Sequence, residues 1–211
     1  MYRGMKIGQK IRKKAKYHHG DLRAQLVEAT RILVEEKGPD RFSVSEACRV
    51  AGVSTAAPYR HFKDKEEMLM AVTADGLERQ FALMQEMVQG HPKHSIARIV
   101  AMGRAYIEFA RAEPAVFRLM FGATRDHKSY KDLMDQGPLT FEFVEQEVAD
   151  FMHKDAIDDD VGRRAFLLWT FVHGLSFLLI DEKVELSGLV MDLDALLLDI
   201  GQRVLIDAVP A

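Results

Sequence analysis

The stretch from Ser43 to Lys65, SVSEACRVAGVSTAAPYRHFKDK, limits the possible folds more than any other part of the chain. It predicts two short helices joined by a glycine turn. Ser43 with Glu46 three residues on has the spacing of a capping box. Val44, Ala47 and Ala51 give the first helix a small apolar face, with Cys48 beside them. Gly52 is expected to end it, because glycine adopts the left-handed conformation of a helix C-terminus without strain. Val53 reads as an apolar plug, and Ser54 as the cap of a second helix that carries Thr55, Ala56, Ala57 and Tyr59 and ends in Arg60, His61 and Phe62. Pro58 falls near its first turn, where a missing N–H is tolerated.

This is a helix-turn-helix spacing, which buried helical hairpins share, so the surrounding chemistry has to decide. Small or polar side chains let a helix enter a DNA major groove, where base edges are read. Tyr59, Arg60, His61, Lys63 and Lys65 are donors suited to phosphate oxygens. Asp64 with Glu67 repeats the capping-box spacing at the start of the next helix, whose N–H groups would face a phosphate. Charge supports the same reading. The net charge is −3, yet residues 1–65 hold 15 Lys and Arg against 7 Asp and Glu, or +8, and the remainder holds 14 against 25, or −11. A basic head on an acidic body turns the molecule toward DNA head first.

The segments HHGDLRAQLVEAT and SVSEACRVAGVSTAAPYRHFKDKEEML resemble the N-terminal DNA-binding domain of TetR-type transcriptional regulators. Tyr59, His61, Phe62 and Lys65 match that family's signature, and the likeness runs from His18 to Val72. The resemblance implies phosphate contacts from Tyr59, His61 and Lys65, with Arg60 beside them. It implies DNA contacts from Ser54, Thr55, Ala56 and Ala57, with Thr55 and Ala57 facing bases, and a backbone contact from Ser43. One departure bears on specificity. Many relatives start the recognition helix with lysine, arginine or glycine, where this chain has Thr55-Ala56-Ala57. Fewer direct base hydrogen bonds follow, and the operator sequence is not readable. The segment WTFVHGLSFLL, with Trp169, His173 and Gly174, resembles a C-terminal domain of one branch of the same family.

The chain has 211 residues, 48% hydrophobic and 29% charged, ordinary for a packed globular protein. Cys48 is the only cysteine, which excludes an internal disulfide and a cysteine metal cluster, and on an apolar helix face it reads as core. The basic N-terminus is not followed by an apolar segment, so no secretory leader is expected. The apolar run Ala165–Ile180 is shorter than the ~20 residues of a membrane span and is interrupted by Thr170, His173, Gly174 and Ser176. A cytoplasmic protein without membrane contact is expected.

Residues 1–17 form a basic arm that either contacts phosphate or the minor groove, or is a solvated tail. A helix capped by Asp21 follows, with Leu22, Leu26, Ala29, Ile32 and Leu33 at helical spacing and a stop at Gly38-Pro39. Phe42 and Phe62 should close a small core against it. Further helices are expected at about 64–88, 95–112, 114–121, 129–136, 139–153, 160–181 and 192–208, with Glu113-Pro114 and Gly137-Pro138 as breaks. The helix at 160–181 is apolar almost all round, so it should be buried on more than one side. Core on one face and a second subunit on the other satisfy that most simply. With the last helix, it would form a four-helix dimer seam. Paired heads would then read half-sites about one helical turn (~34–36 Å) apart or more.

No HExxH, GxSxG or Walker-type spacing occurs, and the run Asp158–Asp160 reads as a helix start, so neither enzymatic activity, nor a metal, nor a cofactor is expected. The body invites an effector cavity, with Tyr106, Phe109, Phe117, Met120, Phe121, Phe141, Trp169, His173 and Phe177 as candidate walls. The same residues also suit a plain core. Tyr106 and His173 would orient a polar group, or His173 would be satisfied by a backbone carbonyl while Gly174 lets helices pack closely.

The sequence therefore predicts an all-α fold: a three-helix helix-turn-helix DNA-binding domain (18–65) after the arm, then a larger helical effector-binding and dimerisation domain (66–211). The expected function is a homodimeric, sequence-specific regulator of double-stranded DNA, a repressor released from a palindromic operator by a small-molecule effector. The competing reading is a small-molecule binding protein whose head does not bind DNA specifically.

Overall fold

Asp21 starts the first helix by accepting the Ala24 N–H at 3.2 Å, and Gly38 ends it at φ +82°, a conformation that strains a residue with a side chain. This helix, α1 (Leu22–Lys37), belongs to a computed structural model that describes residues 21–122, 139–186, 188 and 192–206. The basic arm, His18 to Gly20, the expected helix at 129–136 and the Gly137-Pro138 break lie outside the described residues.

The described residues are all-α: α2 (Val44–Ala51), a 3₁₀ turn (Pro58–Arg60), α3 (Lys65–Gln89), α4 (Ile96–Ala112), α5 (Pro114–Phe121), α6 (Leu139–Phe151), α7 (Asp159–Ile180), α8 (Lys183–Leu186) and α9 (Leu193–Leu205). Within them the expected boundaries hold to within two residues, apart from the last helix, which ends at Leu205, and the second helix of the helix-turn-helix, described below. The four-residue α8 was not expected; it is too short to carry a readable period.

The head packs α1 on α2 and α3 around Leu26, Phe42, Ala47, Phe62 and Val72, all buried. This core is small, and α3 supports it by continuing into the body without a break. There α3 lies along α4 and α5, α4 packs on α7 and α9, and α6 covers α7. Gly76 makes the α3–α5 contact possible. A Cβ there would stand 2.8 Å from Met120 Sδ, so only glycine lets the two helices come this close without repacking. Gly174 has no such role among the described residues: it is exposed and none of them lies within 4 Å of its Cβ position, so the close packing suggested for this residue does not occur among them.

A buried ion pair ties the body together. Arg98 on α4 meets Glu147 on α6 through two bonds of 2.7 and 2.5 Å, and it also donates to the Val88 carbonyl at 2.8 Å. The arginine is thus bonded to backbone as well as to its partner, the condition under which burying charge is tolerated. Helix α7 is long and apolar enough, by length and composition, to cross a membrane. Its Val161, Ala165, Leu168, Val172 and Leu175 instead face the protein core. Asp158 caps it by accepting the Val161 N–H at 2.9 Å, so the acidic run is a helix start.

Candidate functional site

The helix-turn-helix begins as the sequence predicts. Ser43 and Glu46 form a complete capping box: Ser43 Oγ accepts the Glu46 N–H at 3.2 Å, and Glu46 accepts the Ser43 N–H at 2.9 Å. Lys37 adds a bond to Glu46 at 2.5 Å, and with the Ser43 contacts it lowers the Glu46 pKa to about 2. Gly52 sits at φ +70°, and the Val53 N–H returns to the Cys48 carbonyl at 2.9 Å, which closes α2 in a Schellman-type turn. Cys48 is buried, and burial pushes its thiol pKa up, away from reactivity.

The second helix differs from expectation. Residues 55–61 form a turn and one 3₁₀ turn rather than an α-helix capped by the Ser54 side chain. Ala57, Arg60 and His61 donate three residues back, to Ser54, Ala57 and Pro58. Pro58 has no N–H for the bond to Ser54 that an α-helix needs, and the segment is too short to offset the cost of nucleation. Pro58 itself is buried beneath the turn. Ser54, Thr55, Ala56, Tyr59, Arg60 and His61 are exposed, and Ala57 is half-buried. Tyr59 is 68% exposed, an aromatic ring left in solvent at the tip of the head.

Lys65 turns inward. Its Nζ donates to the carbonyls of Phe42 at 2.8 Å and Asp40 at 3.2 Å and lies 4.3 Å from the centre of the Phe42 ring. It thus holds the start of α3 against the α1–α2 loop. The second capping box is also only partly formed. Asp64 accepts the Glu67 N–H at 2.9 Å, but Glu67 returns to the Lys63 N–H at 2.5 Å rather than to Asp64.

In the body, a cavity of about 270 Å³ lies between α3, α4, α6, α7 and α9. Of the candidate walls, Tyr106, Phe121, Phe141 and Trp169 line it, together with Gln80, Met84, Met102, Thr140, Phe166 and Val172. Phe109, Phe117, Met120, His173 and Phe177 are not among its walls. Phe117 and Met120 are fully buried in the core, and Phe109 lies under the Arg79 guanidinium at 5.5 Å. These residues have helical spacing because they pack between helices, the alternative the sequence left open. His173 stands behind the wall. Its Nδ1 is 2.8 Å from the Tyr106 hydroxyl, which also accepts the Trp169 indole N–H at 3.3 Å. A side-chain hydroxyl, rather than a backbone carbonyl, satisfies this histidine, and burial holds its pKa below the ordinary 6.5.

Head and cavity meet through α5. Glu35 on α1 accepts the N–H groups of Val116 at 2.7 Å and Ala115 at 3.3 Å, capping α5 from the head. Arg31 on α1 and Arg79 on α3 both bond Glu113, the residue before α5. At the other end of α5, Phe121 is a wall of the cavity.

Two family profiles match this arrangement. The profile "Bacterial regulatory proteins, tetR family" covers residues 26–72, and "Tetracyclin repressor-like, C-terminal domain" covers 99–199. The chain belongs to the TetR family. Among curated relatives, the nucleoid occlusion factor SlmA of Pasteurella multocida is 31% identical over 98 residues, 46% of this chain and 48% of SlmA. The chain therefore spans about half the length of that relative. The HTH-type transcriptional regulator UidR of Escherichia coli is 24% identical over 142 residues, 66% of this chain and 71% of UidR. Among solved structures, a protein of unknown function from Rhodococcus sp. RHA1 superimposes with a TM-score of 0.75 at 26% identity, covering 90% of this chain and 97% of its own. The fatty acid degradation regulator FadR of Bacillus halodurans shares the fold, with a TM-score of 0.66 at 14% identity over 88% of this chain and 95% of its own.

As a TetR-family member the chain carries the family's helix-turn-helix unit and its C-terminal domain. Among the residues that sequence reasoning missed, two bear most on function. Arg49 is exposed on α2 four residues after exposed Ser45, opposite buried Ala47 and Cys48. That spacing was visible in the sequence as the polar side of an amphipathic helix. Gln80 lines the cavity, and no local signal marks a glutamine within α3 as buried.

Proposed function

We propose that this TetR-family regulator is a cytoplasmic homodimeric repressor that leaves a palindromic operator when a small molecule enters the body cavity. The observation that carries the reading is the double engagement of α5. One end forms a cavity wall through Phe121, and the other is capped by Glu35 of the head. An occupant that displaces Phe121 acts on a helix the head holds directly, and through Gly76 and Met120 on α3 as well. The ligand shifts DNA occupancy by its difference in affinity for the two arrangements.

The DNA-binding unit spans residues 18–65 and the effector and dimerisation unit 66–211, with α3 as their common beam. Thr55 and Ala56 face bases at the tip of the head. Tyr59, Arg60 and His61 grip phosphates, and Arg49 and Lys63 extend the basic surface. Lys65 positions the head by binding its loop. Dimerisation is supported by exposed apolar side chains on the last two long helices: Phe166, Leu167 and Leu178 on α7, Leu198 on α9 and Ile206 just beyond it. Exposed Thr170 and Gly174 lie between the α7 positions, and the glycine would let a partner helix approach closely.

The test is DNA occupancy in the presence of fractionated cell metabolites, followed by anisotropy of a labelled operator. Release by one fraction, reversed on its removal, is the expected result. Unchanged occupancy across all fractions would mean regulation without a ligand.

A further inference from the structure

The polar inventory of the body cavity is short. Among its described lining residues none carries a charge, and the walls are methionine, aromatic and aliphatic side chains, a glycine, Thr140, Tyr106, Trp169 and Gln80. The Tyr106 hydroxyl and Trp169 indole N–H are bonded to each other, and His173 closes that chain from behind. Gln80 is different. It is 1% exposed, and no group among the described residues accepts a hydrogen from its buried Nε2. Buried amide N–H groups almost always have a partner, and one left over beside a cavity identifies what its occupant should bring.

We propose that the cavity binds an uncharged, compact, mainly apolar molecule with one hydrogen-bond acceptor, a carbonyl or ether oxygen, which takes the Nε2–H of Gln80. The proposal rests on the effector reading above and adds the chemical class of the ligand. Size follows from volume: a cavity of roughly 150 Å³ accommodates benzene, so about 270 Å³ corresponds to a molecule of roughly ten to twelve non-hydrogen atoms, the size of a small bicycle. Charge is excluded by solvation. A carboxylate there would lose its water and meet no cation among the described walls. The neutral state of His173, whose pKa burial lowers, supplies no positive charge behind the wall.

The experiment is calorimetric titration of the full-length protein at pH 7.5 with three matched bicycles: 1-tetralone, its acceptor-free parent tetralin, and tetralin-1-carboxylate. The expected order is tetralone first, tetralin about tenfold weaker for want of the hydrogen bond, and the carboxylate more than about a hundredfold weaker. Gln80→Met, which keeps the volume and removes the donor, should bring tetralone down to the level of tetralin. If that variant does not fold, the ranking on the unmodified protein still decides. Equal affinity for tetralone and tetralin, a carboxylate that binds as well as the ketone, or no binding of any of the three would overturn the proposal. None of these results touches the effector reading, which the metabolite-release measurement tests on its own. Absence of release by any metabolite fraction, with tetralone bound as predicted, would instead remove the regulatory role and keep the site.

Discussion

Three side chains show how differently neighbouring residues of the head behave. Tyr59 and Arg60 project into solvent, whereas Lys65 is bound to two carbonyls of its own head. Tyr59→Ala and Arg60→Ala should weaken binding to every DNA sequence, and Arg60→Ala should lower the slope of log affinity against log salt by about one. Lys65→Ala should act first on stability, by about 1 kcal/mol for two partly exposed hydrogen bonds, with little change in that slope. Paired chemical denaturation and salt titrations separate the two effects. His173 gives a pH prediction. Its folded pKa lies below the unfolded 6.5, so below about pH 6.5 the unfolded state binds more protons and stability falls with falling pH. His173→Asn, which keeps an acceptor for Tyr106, should lose less stability between pH 7.5 and 5.5 than the unmodified protein. Fluorescence of Trp169, the only tryptophan, reports both unfolding curves.

At the scale of elements, α5 is the short piece on which regulation turns. Glu35 reaches it across 81 positions of sequence, and Arg31 reaches Glu113 across 82. Glu35→Gln keeps the shape but gives up the charge that favours a helix N-terminus. We expect it to leave binding of ligand to the body unchanged and to weaken effector-driven release of DNA severalfold. Equal release by both proteins would assign coupling to α3 alone. The same contrast explains what the sequence made legible. Caps at Asp21, Ser43 and Asp158, the stop at Gly52 and the apolar stripes are local, and the helix boundaries follow from them. The 3₁₀ turn at Pro58 was harder, because one missing N–H decides between two helical forms. Glu35 and Gln80 look like ordinary surface residues in sequence, and Lys65 like a phosphate contact, since their actual partners are distant or backbone atoms. The aromatic residues of the body have one spacing whether they face a cavity or a core, so four of the nine expected walls line it and five lie behind or away from it.

At the scale of the molecule, charge and exposed apolar surface lie in different places. The basic excess falls in the first 65 residues, and the large exposed apolar side chains of the body cluster on α7 and at α9. Phe166 belongs to two features at once, since it is 53% exposed on the proposed dimer face and also lines the cavity. A ligand would therefore sit one side chain away from the partner subunit. Leu178→Arg should convert the dimer to a monomer in sedimentation velocity and reduce operator affinity by more than about tenfold, because a single head reads only a half-site. A variant that stays dimeric would move the interface elsewhere.

Sequence-specific binding of DNA by a symmetric pair of heads is the property from which the proposed regulation follows. Selection of binding sites from random duplex DNA at moderate salt tests this directly. It should enrich a palindrome whose half-sites lie about one helical turn apart or a multiple of it. Recovery of unenriched sequence, or of one unpaired half-site, would contradict it.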